Sequence, residues 1–374
     1  MIRLSGAPAD TLRATSIGIV VEQLRRAVPG GVGTHIRGLL AGLAELGEQA
    51  APPVVLVASR PPRRPDPLEA LGEPVAALGL PEPLLTRAWA LGAAALRGYR
   101  LVHTTGFDIP PVAGPLVVTV HDLLWRELPE AYGRHGRAWH EGALRRAVRR
   151  AAAFVVTSAE VGDSLAEVVG EGREIALIEM GADHRAAPDH AAAAALVSSL
   201  GVSGDYLLAV GTLEPRKNLP RLVAAYQSVR ERLPGRPSLV LCGPEGWGPL
   251  PVAGEAPGVF FTGRVPEAVL SGLYAGALAL CYVSLGEGFG LPVAEAMAAG
   301  LPVLAGRAPV AGDAALTVDP RDVAAIADGL VALAGDAGLR GRLVEAGRRR
   351  AERLTWRRAA TEHVALWDAL APPR

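Results

Sequence analysis

The chain has 374 residues, with 38 lysines and arginines against 38 aspartates and glutamates, so its formal net charge is zero. Half of the residues are hydrophobic and a fifth are charged, which describes a globular chain with material for two cores. The charge balance argues against a general nucleic-acid binder, and no apolar run reaches the roughly 18–20 residues of a membrane span. Cys242 and Cys281 each lie inside an apolar strand-like run. They read as buried reduced thiols, not metal ligands, and imply a cytoplasmic setting. Met1–Ala14 lacks the long apolar core of a signal peptide and reads as a loose tail.

Short apolar runs alternate with longer helical patterns, the signature of parallel α/β sheets. In the first half the predicted strands are Ser16–Val21, Val54–Ser59, Leu101–Thr105, Leu116–Val120, Phe154–Thr157 and Ile175–Ile178. In the second half they are Tyr206–Val210, Ser238–Cys242, Val259–Thr262, Ala279–Val283, Pro302–Ala305 and Ala315–Val318. Six and six predict two doubly wound domains, over residues 15–190 and 200–355, with the Ala-rich stretch Ala186–Gly204 as the seam. Ligands of such sheets bind at the C-terminal ends of the strands.

Several strand ends carry chemistry. Gly30-Gly31-Val32-Gly33-Thr34-His35 follows the first strand and opens a helix, where glycines admit a ligand to free N–H groups. It is not a dinucleotide fingerprint, because Ile36 stands where the third glycine belongs. His121 closes the strand Leu116–Val120 and can hydrogen-bond or move a proton near neutral pH, although a lone histidine is more often structural. Arg134–Arg150 carries six arginines among Trp139, Ala143, Leu144 and Val148. It reads as a basic amphipathic helix, a solvated face or a contact for anionic lipid or acceptor.

In the second half, Gly211-Thr212-Leu213-Glu214-Pro215-Arg216-Lys217-Asn218 contains the only lysine and the only asparagine of the chain. In a sequence this rich in arginine, the lone ammonium reads either as a chance survivor on a solvated turn or as a compact point charge placed where one is needed, as at a phosphate. The loop Gly243-Pro244-Glu245-Gly246-Trp247-Gly248 follows the next strand, and Thr262-Gly263-Arg264-Val265 offers backbone groups to a base. The densest stretch is Glu287-Gly288-Phe289-Gly290-Leu291-Pro292-Val293-Ala294-Glu295. Pro292 suits the first turn of a helix, the N–H groups of Phe289 to Leu291 suit an anion or hydroxyls, and each carboxylate can bind a vicinal diol. The only lysine is followed by Asn218, so there is no phosphate-binding G-x-x-x-x-G-K-[ST] loop. No G-x-S-x-G elbow and no metal-ligand run appear.

With seven residues between Glu287 and Glu295, and Gly288-Phe289-Gly290-Leu291-Pro292 among them, this stretch resembles retaining glycosyltransferases of the GT-B fold. The Gly211–Asn218 motif, Gly-Gly-x-Gly-x-His, Val120-His121-Asp122, Gly246-Trp247-Gly248 and Ala311-Gly312-Asp313-Ala314-Ala315 resemble family 4 of that group. The resemblance spans Gly30 to Trp356. It implies two Rossmann-like doubly wound domains facing a central cleft, an acceptor-side domain first and a nucleotide-sugar-binding domain second. Residues 356–374 would form a helix that crosses back to the first domain. It implies that Arg216 and Lys217 neutralise the donor diphosphate, that Glu287 meets the transferred sugar, and that Glu295 binds the ribose. Gly31, Gly33, Gly211, Thr212, Arg264, Val265, Gly288, Phe289, Gly290 and Leu291 would line the donor, with His121 near sugar and acceptor. The implied donor is a nucleoside diphosphate sugar, GDP-mannose first or a UDP-sugar, used without a metal. The acceptor would be a glycan, a lipid-linked sugar or a natural product, with the protein cytoplasmic or peripheral to a membrane. A sugar-nucleotide epimerase, a phosphorylase and a non-catalytic nucleotide-sugar binder are the alternatives. Between Ala305 and Ala311 the chain is shorter than the family pattern, and the sheet is expected to survive this.

Overall fold

The structure, a computed structural model, describes residues 14–62, 65–246 and 256–373. The chain divides into two compact units. One runs up to Met180 and takes up the chain again at Trp356; the other is Gly181–Thr355. The expected loose tail lies, but for Ala14, outside the described residues, as do Trp247 and Gly248.

The sheet of the first unit contains β1 (Ile17–Val20), β2 (Val54–Ala58), β3 (Val75–Ala77), β4 (Leu101–Thr104), β5 (Leu116–Val120), β6 (Ala153–Val156) and β7 (Glu174–Leu177). Their order is β3-β2-β1-β4-β5-β6-β7, every pair parallel. The order turns at β1, so the chain winds outward in both directions and leaves a switch point beside β1 and β4. β1, β2, β4, β5 and β6 are buried along their whole length, which is why they read as largely apolar runs, interrupted only by His103 and Thr104 on β4 and Thr119 on β5. β3 escapes the sequence reading. It is three residues long, partly exposed at the sheet edge, and offers no run. Seven strands therefore stand where six were expected.

The second unit has β8 (Tyr206–Val210), β9 (Ser238–Cys242), β10 (Val259–Gly263), β11 (Ala279–Tyr282), β12 (Val303–Ala305) and β13 (Leu316–Thr317), in the order β10-β9-β8-β11-β12-β13 and parallel throughout. All six match predicted runs. The short connection after β12 leaves the ladder intact, with Leu304 beside Leu316 and Ala305 beside Thr317. The stretch Ala186–Gly204 holds the helix His190–Ser199, which packs on the helix Glu267–Gly276 of this unit. The contact is so close that a Cβ on Gly272 would sit 2.6 Å from the Asp189 carbonyl oxygen. Cys242 and Cys281 are buried free thiols on β9 and β11, and burial pushes the Cys281 thiol up to about 12.

Five helices position the features that matter below: α1 (Gly30–Leu46), α2 (Arg134–Arg150), α3 (Leu219–Val229), α4 (Leu291–Ala298) and α5 (Trp356–Leu370). α5 belongs with the first unit and lies along α1. Gly38 and Gly42 on α1 make this approach possible: a Cβ there would stand 2.0 Å from the Trp356 indole and 2.2 Å from its carbonyl oxygen. Beneath this contact four histidines share the interior of the unit. The His35 ring lies 4.9 Å from His121 and 5.9 Å from His363, and His103 stacks on His363 at 5.3 Å. Burial holds all four below the ordinary histidine range, His363 at about 4.

A histidine kept neutral in the fold contributes fully above its unfolded pKa of about 6.5 and loses that contribution as pH falls toward the folded value. Stability should therefore decline between pH 6.5 and 4, by up to about 1.4 kcal/mol per pH unit for each histidine. Denaturant midpoints measured from pH 8 to 4.5 check this; a flat profile below pH 6.5 would show that the rings are not held neutral.

Candidate active site

In the second unit the chain leaves β8 through Gly211. A Cβ on Gly243, at the end of β9, would sit 1.9 Å from the Gly211 carbonyl oxygen, and φ at the two glycines is 146° and 154°. No larger residue allows the two strand ends this close. Pro215 starts a 3₁₀ turn, Pro215–Lys217, which ends on Asn218 with φ 59°. Asparagine is among the few residues that tolerate this conformation. Its side-chain amide donates to the carbonyls of Val283 (3.0 Å) and Pro320 (2.6 Å), and its oxygen accepts from Arg221. The single asparagine thus locks the turn carrying Arg216 and Lys217 against the end of β11, and α3 begins directly after it.

The two cations then meet Glu287 from the loop after β11. Arg216 Nη1 lies 2.5 Å from Glu287 Oε2, and Lys217 Nζ lies 2.8 Å from Oε1. Arg216 Nη2 also pairs with Glu214 at 2.6 Å, and Lys217 donates to the Tyr282 hydroxyl at 2.6 Å. The Lys217 stem rests on Gly211. Burial would raise the Glu287 carboxyl, but the charges of Arg216 and Lys217 outweigh it and bring it down to about 2. Burial lowers Lys217, and Glu287 opposes that shift. The cluster thus has two cations and two carboxylates, held in fixed positions by ion pairs. An anion of matching geometry can take over the cations from the carboxylates without a search through side-chain rotamers.

The same loop enters α4. Gly290, with φ 98°, is its N-cap, and Pro292 lies in its first turn. Among the described residues the N–H groups of Phe289, Gly290 and Leu291 take no hydrogen bond, so the positive end of the helix is open to an anion. Glu295, one turn on, is buried. Its Oε1 lies 3.2 Å from His184 Nε2, its Oε2 3.0 Å from Arg185 Nη1, and Tyr274 donates to Oε2 at 2.9 Å. Arg185 also covers the Tyr274 ring at 4.5 Å. Burial pushes the Glu295 carboxyl up, and the bond from His184 with the Arg185 charge brings it below the usual range.

In the first unit, Gly31 and Gly33 belong to the first turn of α1 itself. A Cβ on Gly31 would meet nothing within 4 Å, whereas one on Gly33 would run into Pro29. Gly31 therefore leaves a helix N-terminus open, and Gly33 serves packing. His121 follows β5, and its Nε2 lies 3.0 Å from the Thr105 carbonyl. Only an N–H can donate there, so the tautomer is set and Nδ1 is left as an acceptor. His121 helps to line a cavity of about 190 Å³ together with Val32, Asp108, Asp122, Trp125 and Trp139. The basic segment is helical as predicted, with Arg134, Arg145 and Arg149 exposed and Ala143, Leu144 and Ala147 buried.

Not every predicted residue joins these groups. Arg264 and Val265 follow β10, the edge strand, and Arg264 is exposed; no described hydrogen bond ties them to the Arg216–Glu287 cluster. Thr212 stays near Gly246, whose Cβ would meet its methyl at 2.8 Å. Conversely, Glu214, Tyr282, Tyr274, His184 and Arg185 enter the sites without having been singled out. For the last two the signal was present: adjacent histidine and arginine just past the turn Gly181-Ala182-Asp183, in a stretch otherwise rich in alanine.

Two parallel doubly wound units of this kind define the GT-B fold of glycosyltransferases. The fold of HepE of Anabaena, solved in complex with UDP and glucose, superposes with a TM-score of 0.70 over 95% of this chain and 100% of that one, at 16% identity. Residues 29–186 match the model of Glycosyltransferase Family 4, and residues 204–336 that of Glycosyl transferases group 1. The chain belongs to the family 4 glycosyltransferases and is a hexosyltransferase. It is 29% identical to O-antigen chain mannosyltransferase B of Escherichia coli, over 77% of this chain and 81% of that protein. It is also 29% identical to MMP alpha-(1->4)-mannosyltransferase of Mycolicibacterium hassiacum, over 78% and 76%. Among the described residues no helix is long and apolar enough to cross a membrane.

Proposed function

We propose that the protein is a retaining glycosyltransferase that moves mannose from a nucleoside diphosphate sugar, GDP-mannose first, to a hydroxyl of a glycan or lipid-linked acceptor. The second unit carries the donor and the first the acceptor. The observation that carries this reading is the Arg216–Lys217–Glu287 cluster beside the open N-terminus of α4. In the transfer the bond between the sugar carbon and the phosphate oxygen breaks and its electron pair stays on the diphosphate; the acceptor oxygen bonds to the carbon, and its hydroxyl proton passes to the departing phosphate oxygen. Arg216, Lys217 and the N–H groups of Phe289, Gly290 and Leu291 stabilise the charge that builds on the departing phosphate. Glu287 holds the two cations in place and faces the transferred sugar, and Glu295 meets the ribose. His121, neutral and with Nδ1 as acceptor, contacts the sugar or the acceptor hydroxyl. The curated mannosyltransferases among the relatives support mannose, and the UDP complex of HepE supports a nucleotide donor.

Incubation with a panel of GDP- and UDP-sugars, read by mass spectrometry, tests the reaction. GDP-mannose should be turned over fastest; no turnover of any donor would overturn the assignment. Glu295→Gln should weaken nucleotide binding, seen as loss of most of the thermal shift that the wild type shows with GDP or UDP. An unchanged shift would remove Glu295 from the ribose site.

A further inference from the structure

The acceptor side of the reaction rests, so far, on the family alone, yet the first unit contains a built cavity. Its floor is the end of β4 and β5. Thr104 Oγ1 donates to the carbonyls of Gly106 (3.1 Å) and Asp108 (2.9 Å), which curls the loop after β4 and brings Asp108 to the cavity wall. The Asp108 side chain is 11% exposed, and its Oδ1 makes no hydrogen bond among the described residues. The nearest cation, Arg26, stands 3.8 Å from Oδ2, beyond hydrogen-bond reach. Burial pushes this carboxyl up to about 6, with Arg26 offsetting only part of the effect. A buried carboxylate oxygen without a donor is costly, and proteins keep such a group where a ligand supplies the donor.

The rest of the wall is aromatic. Trp125 stacks on His140 at 4.7 Å, Trp139 meets the His140 edge at 4.8 Å, and Phe107 meets Trp125 at 5.3 Å. Phe107, Trp139 and His140 are partly exposed, so their surfaces remain available. We propose that this cavity is a subsite for a single uncharged pyranose ring, with Asp108 accepting one of its hydroxyls and Phe107, Trp139 and His140 packing against its C–H face. A pyranose presents both features at once: hydroxyl donors at its rim and a face of slightly positive C–H groups that suits the negative face of an aromatic ring. At about 190 Å³ the cavity is smaller than the roughly 300 Å³ at which pockets for drug-sized ligands begin, and it holds one ring. A phosphorylated headgroup fits poorly, because among the described residues lining the space two carboxylates, Asp108 and Asp122, stand against the guanidinium of Arg26. The role of this sugar as the acceptor rests on the glycosyltransferase reading; the binding itself does not.

Saturation-transfer difference NMR with the full chain separates the two. The probes are the methyl α-glycosides of mannose, glucose and galactose, with myo-inositol 1-phosphate as the anionic comparison. At least one glycoside should give signals on its ring protons. Asp108→Asn, which keeps the side-chain shape but loses the charge, should weaken that binding about tenfold. Trp139→Ala should reduce it as well, with circular dichroism showing that both variants are folded. No signal from any glycoside, binding as strong as wild type in both variants, or stronger binding of the inositol phosphate would overturn the proposal. Failure of the donor panel would instead overturn the glycosyltransferase reading and leave the NMR result to decide the cavity.

Discussion

Lys217→Ala should lower turnover of the nucleotide-sugar donor by about 10²–10³, the usual cost of removing one fixed donor from a developing anion. The effect should fall on kcat more than on KM, because the charge it meets is largest when the phosphate departs. Lys217→Arg should restore only part of the rate. The ammonium sits between Glu287 and the Tyr282 hydroxyl with its stem on Gly211. A planar guanidinium neither fits that space nor presents a point charge. The alanine variant should stay folded, since Glu287 keeps its pairing with Arg216. Steady-state kinetics with the best donor of the panel decide the matter: near-normal turnover in Lys217→Ala would remove the diphosphate role.

Trp356→Ala should destabilise the first unit by about 3–5 kcal/mol, the range for truncating a buried tryptophan. Trp356 is only 2% exposed, rests on the Cα side of Gly38 and meets the His35 ring at 5.8 Å. It starts α5, so the cavity left behind lies where the helix docks on α1. The loss should appear as a drop in melting temperature of roughly 2–4 °C for each kcal/mol in a unit of this size. A melting temperature within 2 °C of the wild type would show that α5 is held elsewhere. Arg100 is the main alternative anchor, because it pairs with Asp368 on α5 at 2.5 Å.

The sheets were largely legible because burial leaves mostly apolar runs; all six strands of the second unit fell on predicted runs, although β10 and β13 are only partly buried. β3 was illegible for the opposite reason: an exposed edge strand of three residues needs no apolar pattern. The Arg216–Lys217 turn stood out through rarity, since one lysine and one asparagine stand together in a chain that otherwise uses arginine. Its internal wiring was not legible. Nothing in the spacing of Arg216 and Glu287 says that they form an ion pair across 71 positions, or that Glu295 is met by His184 from 111 positions away and by the neighbouring Arg185. The carboxylates were expected as ligands for diols; in the structure both are already engaged by cations, which makes them positioning groups as well.

By itself, then, the order of residues determined the local conformations: which runs are buried strands, where Pro292 and Gly290 start a helix, and where Asn218 takes a left-handed turn. These follow from sterics and burial that act over a few neighbours. Only the tertiary structure decided which side chains share a site, that Gly38 and Gly42 serve as the bed for Trp356, and that Asp108 Oδ1 takes no donor among the described residues beside an aromatic wall. Those are contacts between residues far apart in the chain, set by how close two elements approach, and no local pattern encodes that distance.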